Sequence, residues 1–237
     1  MFKTFAATSL FALSLAAPAA ASGLTDNFDA ESPGSTILNY NGFANFDVGN
    51  GTVDLLFDPN GFGLACAGSS GSCVDLDGST SDGGQLTTKA FYSFNAGDKV
   101  TLSFDLSGNM RQGGDDGFSA GFTFQNPIDV LAYTLGGGYG AAGPFDFFNT
   151  PSIATSTTIG QAKPFTTYSL SFTAGQAGAL KAFIGTSSND NVGPILDNFA
   201  LTIAAGVPEP SQWLLLILGF GAVGATMRRK SAAVRYA

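Results

Sequence analysis

The chain has 237 residues with 32 Gly, 22 Phe and no His, and its formal net charge is −8. Without His, Ser–His–Asp and Cys–His catalysis and His-ligated zinc or copper are excluded. Between Ser22 and Gly206, five basic residues face 17 acidic ones, a net −12 that repels nucleic acid and anionic membrane.

The chain opens MFKTFAATSLFALSLAAPAAAS. Lys3, an apolar stretch over residues 5–15 and the small residues Ala19, Ala20 and Ala21 have the composition of a secretory signal peptide over 1–21, with cleavage expected after Ala21. A buried N-terminal helix is the alternative. Asp26, Asp29 and Glu31 then cluster at the start of the body.

Period-2 alternation and β-branched or aromatic runs predict strands over residues 36–40, 43–48, 52–57, 85–94, 99–107, 117–124, 165–174, 179–186 and 195–204. The clearest has Val100, Leu102, Phe104 and Leu106 on one face, and Tyr168, Leu170 and Phe172 repeat it. Turn pairs Asn41–Gly42 and Asn50–Gly51 suit β connections. Residues 22–204 are therefore expected to be all-β, an antiparallel two-sheet β-sandwich of jelly-roll type. A signal peptide and a C-terminal transmembrane helix are expected to flank it.

Cys66 and Cys73 are the only cysteines and bracket a short Gly/Ser segment. In an exported chain such a pair is expected to form a structural disulfide, since redox work favours a Cys-x-x-Cys spacing. Catalysis is poorly supplied. Paired carboxylates, Asp75 with Asp77 or Asp115 with Asp116, are the one common option, and such pairs are usually solvated turns. Residues 108–117 read either as a cation loop or as a solvated hairpin. Residues 126–163 are less regular, and 136–152 read as a long loop carrying Tyr139, Phe145, Phe147 and Phe148. Such a loop is either a binding loop or a satellite core.

The tail, 205–237, is the most specific part. Val207, Pro208, Glu209 and Pro210 precede Ser211 and Gln212, then the apolar run WLLLILGFGAVGATM begins at Trp213, and Arg228, Arg229 and Lys230 follow at once. This order resembles the PEP-CTERM sorting tail of Gram-negative bacteria. The resemblance implies that Val207, Pro208, Glu209 and Pro210 are recognised by an exosortase in the inner membrane. It also implies a single-pass intermediate anchored by Trp213 and the basic cluster, then release to the periplasm, cell surface or extracellular matrix. As a helix, residues 213–227 would be roughly 22 Å long, short of the ~30 Å hydrocarbon core. The positive-inside rule keeps the basic cluster cytoplasmic.

Within the body, VDLDGS (74–79), GGQL (83–86), YSFNAG (92–97), VTLSFDLSGN (100–109) and GPILDNFAL (193–201) together resemble galactose-binding-like jelly rolls of carbohydrate-binding modules. The resemblance implies sugar binding on aromatic platforms and a structural calcium near the chain ends. Asp26, Asp29, Glu31 and Asp197 are the expected calcium ligands, provided the first and last strands are neighbours. Surface acids and a turn-capping Asp are the alternative. Tyr40, Tyr92, Tyr133, Tyr139 and Phe147 are the expected sugar-stacking rings. The only Trp lies in the tail, so the strongest stacking residue is absent from the body.

The expected function is that of an exported, exosortase-processed, non-catalytic envelope or matrix protein associated with exopolysaccharide. A purely structural or adhesive matrix protein and a carboxylate-based glycosidase remain alternatives.

Overall fold

The computed structural model describes residues 22–31, 34–80, 82–111, 114–206 and 210–231, the last segment with side chains only over 216–228. The expected signal peptide and the sorting residues Val207, Pro208 and Glu209 lie outside the described residues.

Among the described residues, alternation along the chain becomes twelve strands: β1 (Ser22–Asp26), β2 (Phe46–Gly49), β3 (Asp54–Asp58), β4 (Gly71–Asp75), β5 (Gln85–Thr88), β6 (Tyr92–Phe94), β7 (Lys99–Ser107), β8 (Asp116–Gly137), β9 (Ala142–Ile159), β10 (Thr166–Ala174), β11 (Gly178–Thr186) and β12 (Ile195–Ala204). On β7, Val100, Leu102, Phe104 and Leu106 are all fully buried, so the period-2 pattern does set the core face. Every pairing between these strands is antiparallel. The body is all-β as expected.

The two sheets are joined into one, with the order β2-β5-β11-β8-β10-β7-β12-β4-β3, while β1 pairs with β12, β6 with β11 and β9 with β8. The joint is β8. Its residues Phe118–Phe124 pair with β11, and Val130–Gly137 pair with β10. Pro127, which has no N–H to give a ladder, sits where the strand changes partner. The sheet curls until its wings face each other. Phe46 on β2 meets Phe199 on β12 at 4.9 Å between ring centroids, and Phe122 on β8 meets Phe172 on β10 at 5.2 Å.

Two strands fall where loops were expected. Residues 136–152 are not a loop: β8 and β9 form a long hairpin turning through Gly138 and Tyr139. Gly, Pro and Asn dominate that stretch, so composition hides a ladder that backbone pairing and the buried Ile128, Val130 and Tyr133 maintain. β4 begins inside the Gly/Ser segment that the two cysteines bracket and runs on past Cys73. Conversely, residues 36–40 make only a bridge, Ile37 to Leu55, because Asn39 takes a left-handed conformation, φ 51°. The stretch 85–94 splits into β5 and β6.

Cys66 and Cys73 are disulfide-bonded, with Cα atoms 5.4 Å apart. They pack with Leu56, Leu64, Val192 and Ile195 in a small apolar cluster separate from the main core.

The tail forms a helix, α1 (Pro210–Ser231), on which Leu216, Ile217, Leu218, Phe220, Val223 and Met227 are exposed. Among the described residues no helix is long and apolar enough to cross a membrane. The expected transmembrane segment 213–227 falls within this helix, and its side chains are described from residue 216 on.

Candidate functional site

The antiparallel register sets Asp54 of β3 directly opposite Asp75 of β4, so both carboxyls rise from the same face. They line a cleft of about 310 Å³ together with Leu38, Leu56, Phe62, Leu64, Ser79, Arg111, Asp190, Asn191 and Val192. Leu38 and Phe62 are 46% and 44% exposed, unusual for large apolar side chains, and give the cleft an open apolar wall. Arg111 is exposed on its rim, with its backbone N–H held by Asn109 Oδ1 at 2.9 Å.

The two carboxylates have different surroundings. Asp54 Oδ1 accepts the N–H groups of Asn39 (2.7 Å) and Ser79 (3.2 Å), and Oδ2 accepts the Ser79 hydroxyl at 2.8 Å. Asp75 Oδ1 accepts the N–H groups of Asp77 (3.0 Å) and Gly193 (2.8 Å). Burial, then the charges of Asp54 and Asp77, push the Asp75 carboxyl well above the usual carboxylate range despite those two bonds.

Beneath the cleft, Asp77 is fully buried, and its Oδ2 accepts the N–H groups of Asp190 (2.9 Å) and Asn191 (3.1 Å). Asp116 is also buried and accepts Asn109 Nδ2 at 3.0 Å and the Ser188 hydroxyl at 2.9 Å. Burial, with the charges of Asp190 and Asp77, pushes its carboxyl up to about 6. Asp115, next to it, is exposed and accepts the Gln161 N–H, so the two neighbouring carboxylates have separate partners.

The expected calcium ligands take other roles. β1 does pair with β12, setting Asp26 opposite Phe199, so the chain ends meet as anticipated. But Asp26 accepts the Phe28 N–H and Asn45 Nδ2, Asp29 accepts the Ser72 N–H and Asn27 Nδ2, and Glu31 accepts the Ala44 N–H and the Tyr40 hydroxyl. Asp197 accepts the N–H groups of Asn198 and Ala67. Among the described residues no three His, Cys, Asp or Glu side chains are already spaced to hold a metal ion. These four carboxylates cap turns and loops, and the set does not fit a calcium site.

The expected stacking rings lie in different surroundings. Tyr133 is buried, and burial pushes its hydroxyl up to about 12. Tyr139 turns inward against Phe104, Phe118 and Tyr168, with its hydroxyl buried and unbonded. Tyr40 and Tyr92 are half-buried and pack on the main core. Of the five, Phe147 alone is well exposed, beside Phe145 and Phe148 on β9, and its ring lies 5.8 Å from that of Tyr133. Phe62 and Arg111 escaped notice in the sequence because nothing local marks them. Only the fold brings them to Asp54 and Asp75.

Residues 206–230 match the PEP-CTERM protein-sorting motif. No curated protein sequence matches the chain. Among solved structures, the chain resembles the CBM22-1–GH10 modules of the Clostridium thermocellum endo-1,4-β-D-xylanase 10B complexed with xylohexaose. Identity is 16% and the TM-score 0.40, over 78% of this chain and 29% of that one, so the chain spans less than a third of that structure. It also resembles the family 11 carbohydrate-binding module from C. thermocellum in complex with a β-1,3-1,4-mixed-linked tetrasaccharide. There identity is 12% and the TM-score 0.34, over 73% of this chain and 96% of that one. A third is the exo-β-1,3-galactanase of Phanerochaete chrysosporium with galactose, with 14% identity and a TM-score of 0.25, over 76% of this chain and 29% of that one.

Proposed function

We propose that this chain is an exported, exosortase-processed envelope or matrix protein whose jelly-roll body holds a carbohydrate in the β3–β4 cleft without changing it chemically. The sorting motif at 206–230 supports the export and processing. The sugar reading rests on the cleft, whose lining combines the exposed Phe62 and Leu38 with Asp190, Ser79 and Arg111. A pyranose offers the same division, C–H groups on one face and hydroxyls around the edge. An extracellular polysaccharide is the ligand class that an exported protein of this kind would meet.

The non-catalytic reading is supported by how the carboxylates are used. Asp54 has both oxygens committed to Asn39 and Ser79, so it is a poor nucleophile or base. Asp75 is 2% exposed, too enclosed to reach a glycosidic bond.

The test is calorimetry of the full-length chain against a panel of bacterial and plant polysaccharides, with Phe62→Ala and Arg111→Ala beside it. Saturable binding to one class, weakened about tenfold or more by Phe62→Ala at unchanged Tm, is the expected result. No binding across the panel overturns the sugar reading and favours an adhesive matrix protein. Release of new reducing ends overturns the non-catalytic one.

A further inference from the structure

β9 leaves one long side of the sheet bare. Among the described residues it pairs with β8 alone, whereas β8 has β11 or β10 on its other side. Residues 152–159 run against 116–123 without a register shift, so this part of the strand is regular. In an antiparallel ladder every second residue turns its N–H and C=O away from the partner, so about half of these backbone groups point out of the sheet. Such edges are normally guarded by charge, proline, a bulge or a covering segment. Elsewhere the fold supplies guards: β2 carries Asp47, paired with Lys181, and β3 is bridged by Ile37 at Leu55. Residues 152–159 read SIATSTTI and contain neither a charged residue nor a proline. Ile153 and Ile159 anchor the stretch in the core, while Ser152, Ala154, Ser156, Thr157 and Thr158 are exposed.

We propose that this edge pairs with the same edge of a second copy of the chain, antiparallel about a twofold axis, so that the two sheets run on into one. The body carries five basic residues against 17 acidic ones, so two copies repel each other over most of their surfaces. β9 is largely free of that repulsion. Its 18 residues hold one charged side chain, Asp146, whose Oδ1 accepts the Ala132 N–H at 2.8 Å. An antiparallel edge is also complementary to itself, because each outward N–H meets an outward C=O of the other copy. A foreign strand would have to bring an equally uncharged and unguarded edge, which a second copy does by construction. The twofold closes the assembly, since both edges are used and none is left to propagate a fibre. Phe145, Phe147 and Phe148, exposed farther along β9, stand beside the joint, one cluster at each end, and add apolar surface there. The edge is already in place, so pairing asks for no rearrangement.

The experiment is sedimentation velocity of the full-length chain, in a mild detergent that keeps the apolar tail dispersed, with amide exchange read alongside. A concentration-dependent dimer is expected, with exchange over 152–159 slowed about tenfold or more relative to the dilute monomer. Ser156→Asp, exposed in the middle of the stretch, should weaken the dimer about tenfold or more at unchanged Tm, since like charges then meet across the joint. Should that variant fail to fold, Thr158→Asp decides in the same way. Mixing Ser156→Asp with Ser156→Lys in equal parts should restore association, which mere damage to the fold would not allow. Association that persists unchanged in Ser156→Asp arises from the tail and overturns the proposal. So does a wild-type chain that stays monomeric up to about 100 μM, its edge left open or covered by a segment of its own.

Discussion

Asp54 and Asp75 face each other across the β3–β4 ladder, both buried, yet Asp54 accepts three hydrogen bonds over its two oxygens while those on Asp75 fall on Oδ1 alone. Like charges directly opposite in a sheet repel, so one partner gives way, and the less solvated Asp75 shifts toward its neutral form. The pair is thereby asymmetric. Asp54→Ala strands the Asn39 and Ser79 donors and should cost about 2–4 kcal/mol. Asp75→Asn keeps the shape and removes the repulsion, so it should be neutral or stabilising. Urea midpoints at pH 7 for both variants read the difference, and equal losses would sink the assignment.

The body should grow more stable as pH falls from about 6 toward 4. Burial, with the charges of Asp29 and Asp105, pushes the Asp197 carboxyl up to about 6, so the folded state holds a proton that the unfolded chain has already released. Its contribution is complete below the unfolded value near 4 and is lost as pH rises through 6. Thermal unfolding across that window should show Tm declining as pH rises, and Asp197→Asn should flatten the slope. An unchanged slope in that variant refutes the attribution.

Breaking the disulfide should loosen one corner more than the whole. Its seven-residue separation gives a chain-entropy cost of about 2–3 kcal/mol for Cys66→Ser with Cys73→Ser. Because the two half-cystines pack with Leu56, Leu64, Val192 and Ile195, amide exchange should rise first around β3, β4 and residues 192–195. Uniform acceleration through β7 and β10 would contradict this.

Tyr139→Phe should stabilise the fold by up to about 1 kcal/mol. The hydroxyl is buried without a partner while its ring packs on Phe104, Phe118 and Tyr168, so only an unpaid polar group is removed. Polysaccharide affinity should stay the same in this variant. A loss of affinity would restore Tyr139 to the binding surface.

What the sequence reveals here follows from range. β7 and β12 were legible residue for residue over 99–107 and 195–204, because each buries one face and alternation is a local record of that. β9 was not legible: most of its side chains are exposed on both faces, so its place in the sheet depends on backbone pairing with β8, which leaves no pattern in side chains. The same holds for the cleft. Asp54 and Asp75 become neighbours only through the β3–β4 register, and Arg111 and Asp190 arrive from distant loops. The chain-end acids were the converse case. Their proximity was foreseeable from β1 meeting β12, but their commitment to nearby N–H groups was not.

The position of β12 bears on how the molecule withstands pulling. The strand that leads to the tail is an interior one, flanked by β1 and β7, and just beyond it the Gly206 N–H is held by Asp98 Oδ1 at 3.1 Å. Tension applied through the tail is therefore spread as shear along two ladders at once. It cannot peel an edge strand one bond at a time. The same arrangement imposes an order on folding: β1 lacks its partner until β12 has been made, so closure of the body waits for the last strand.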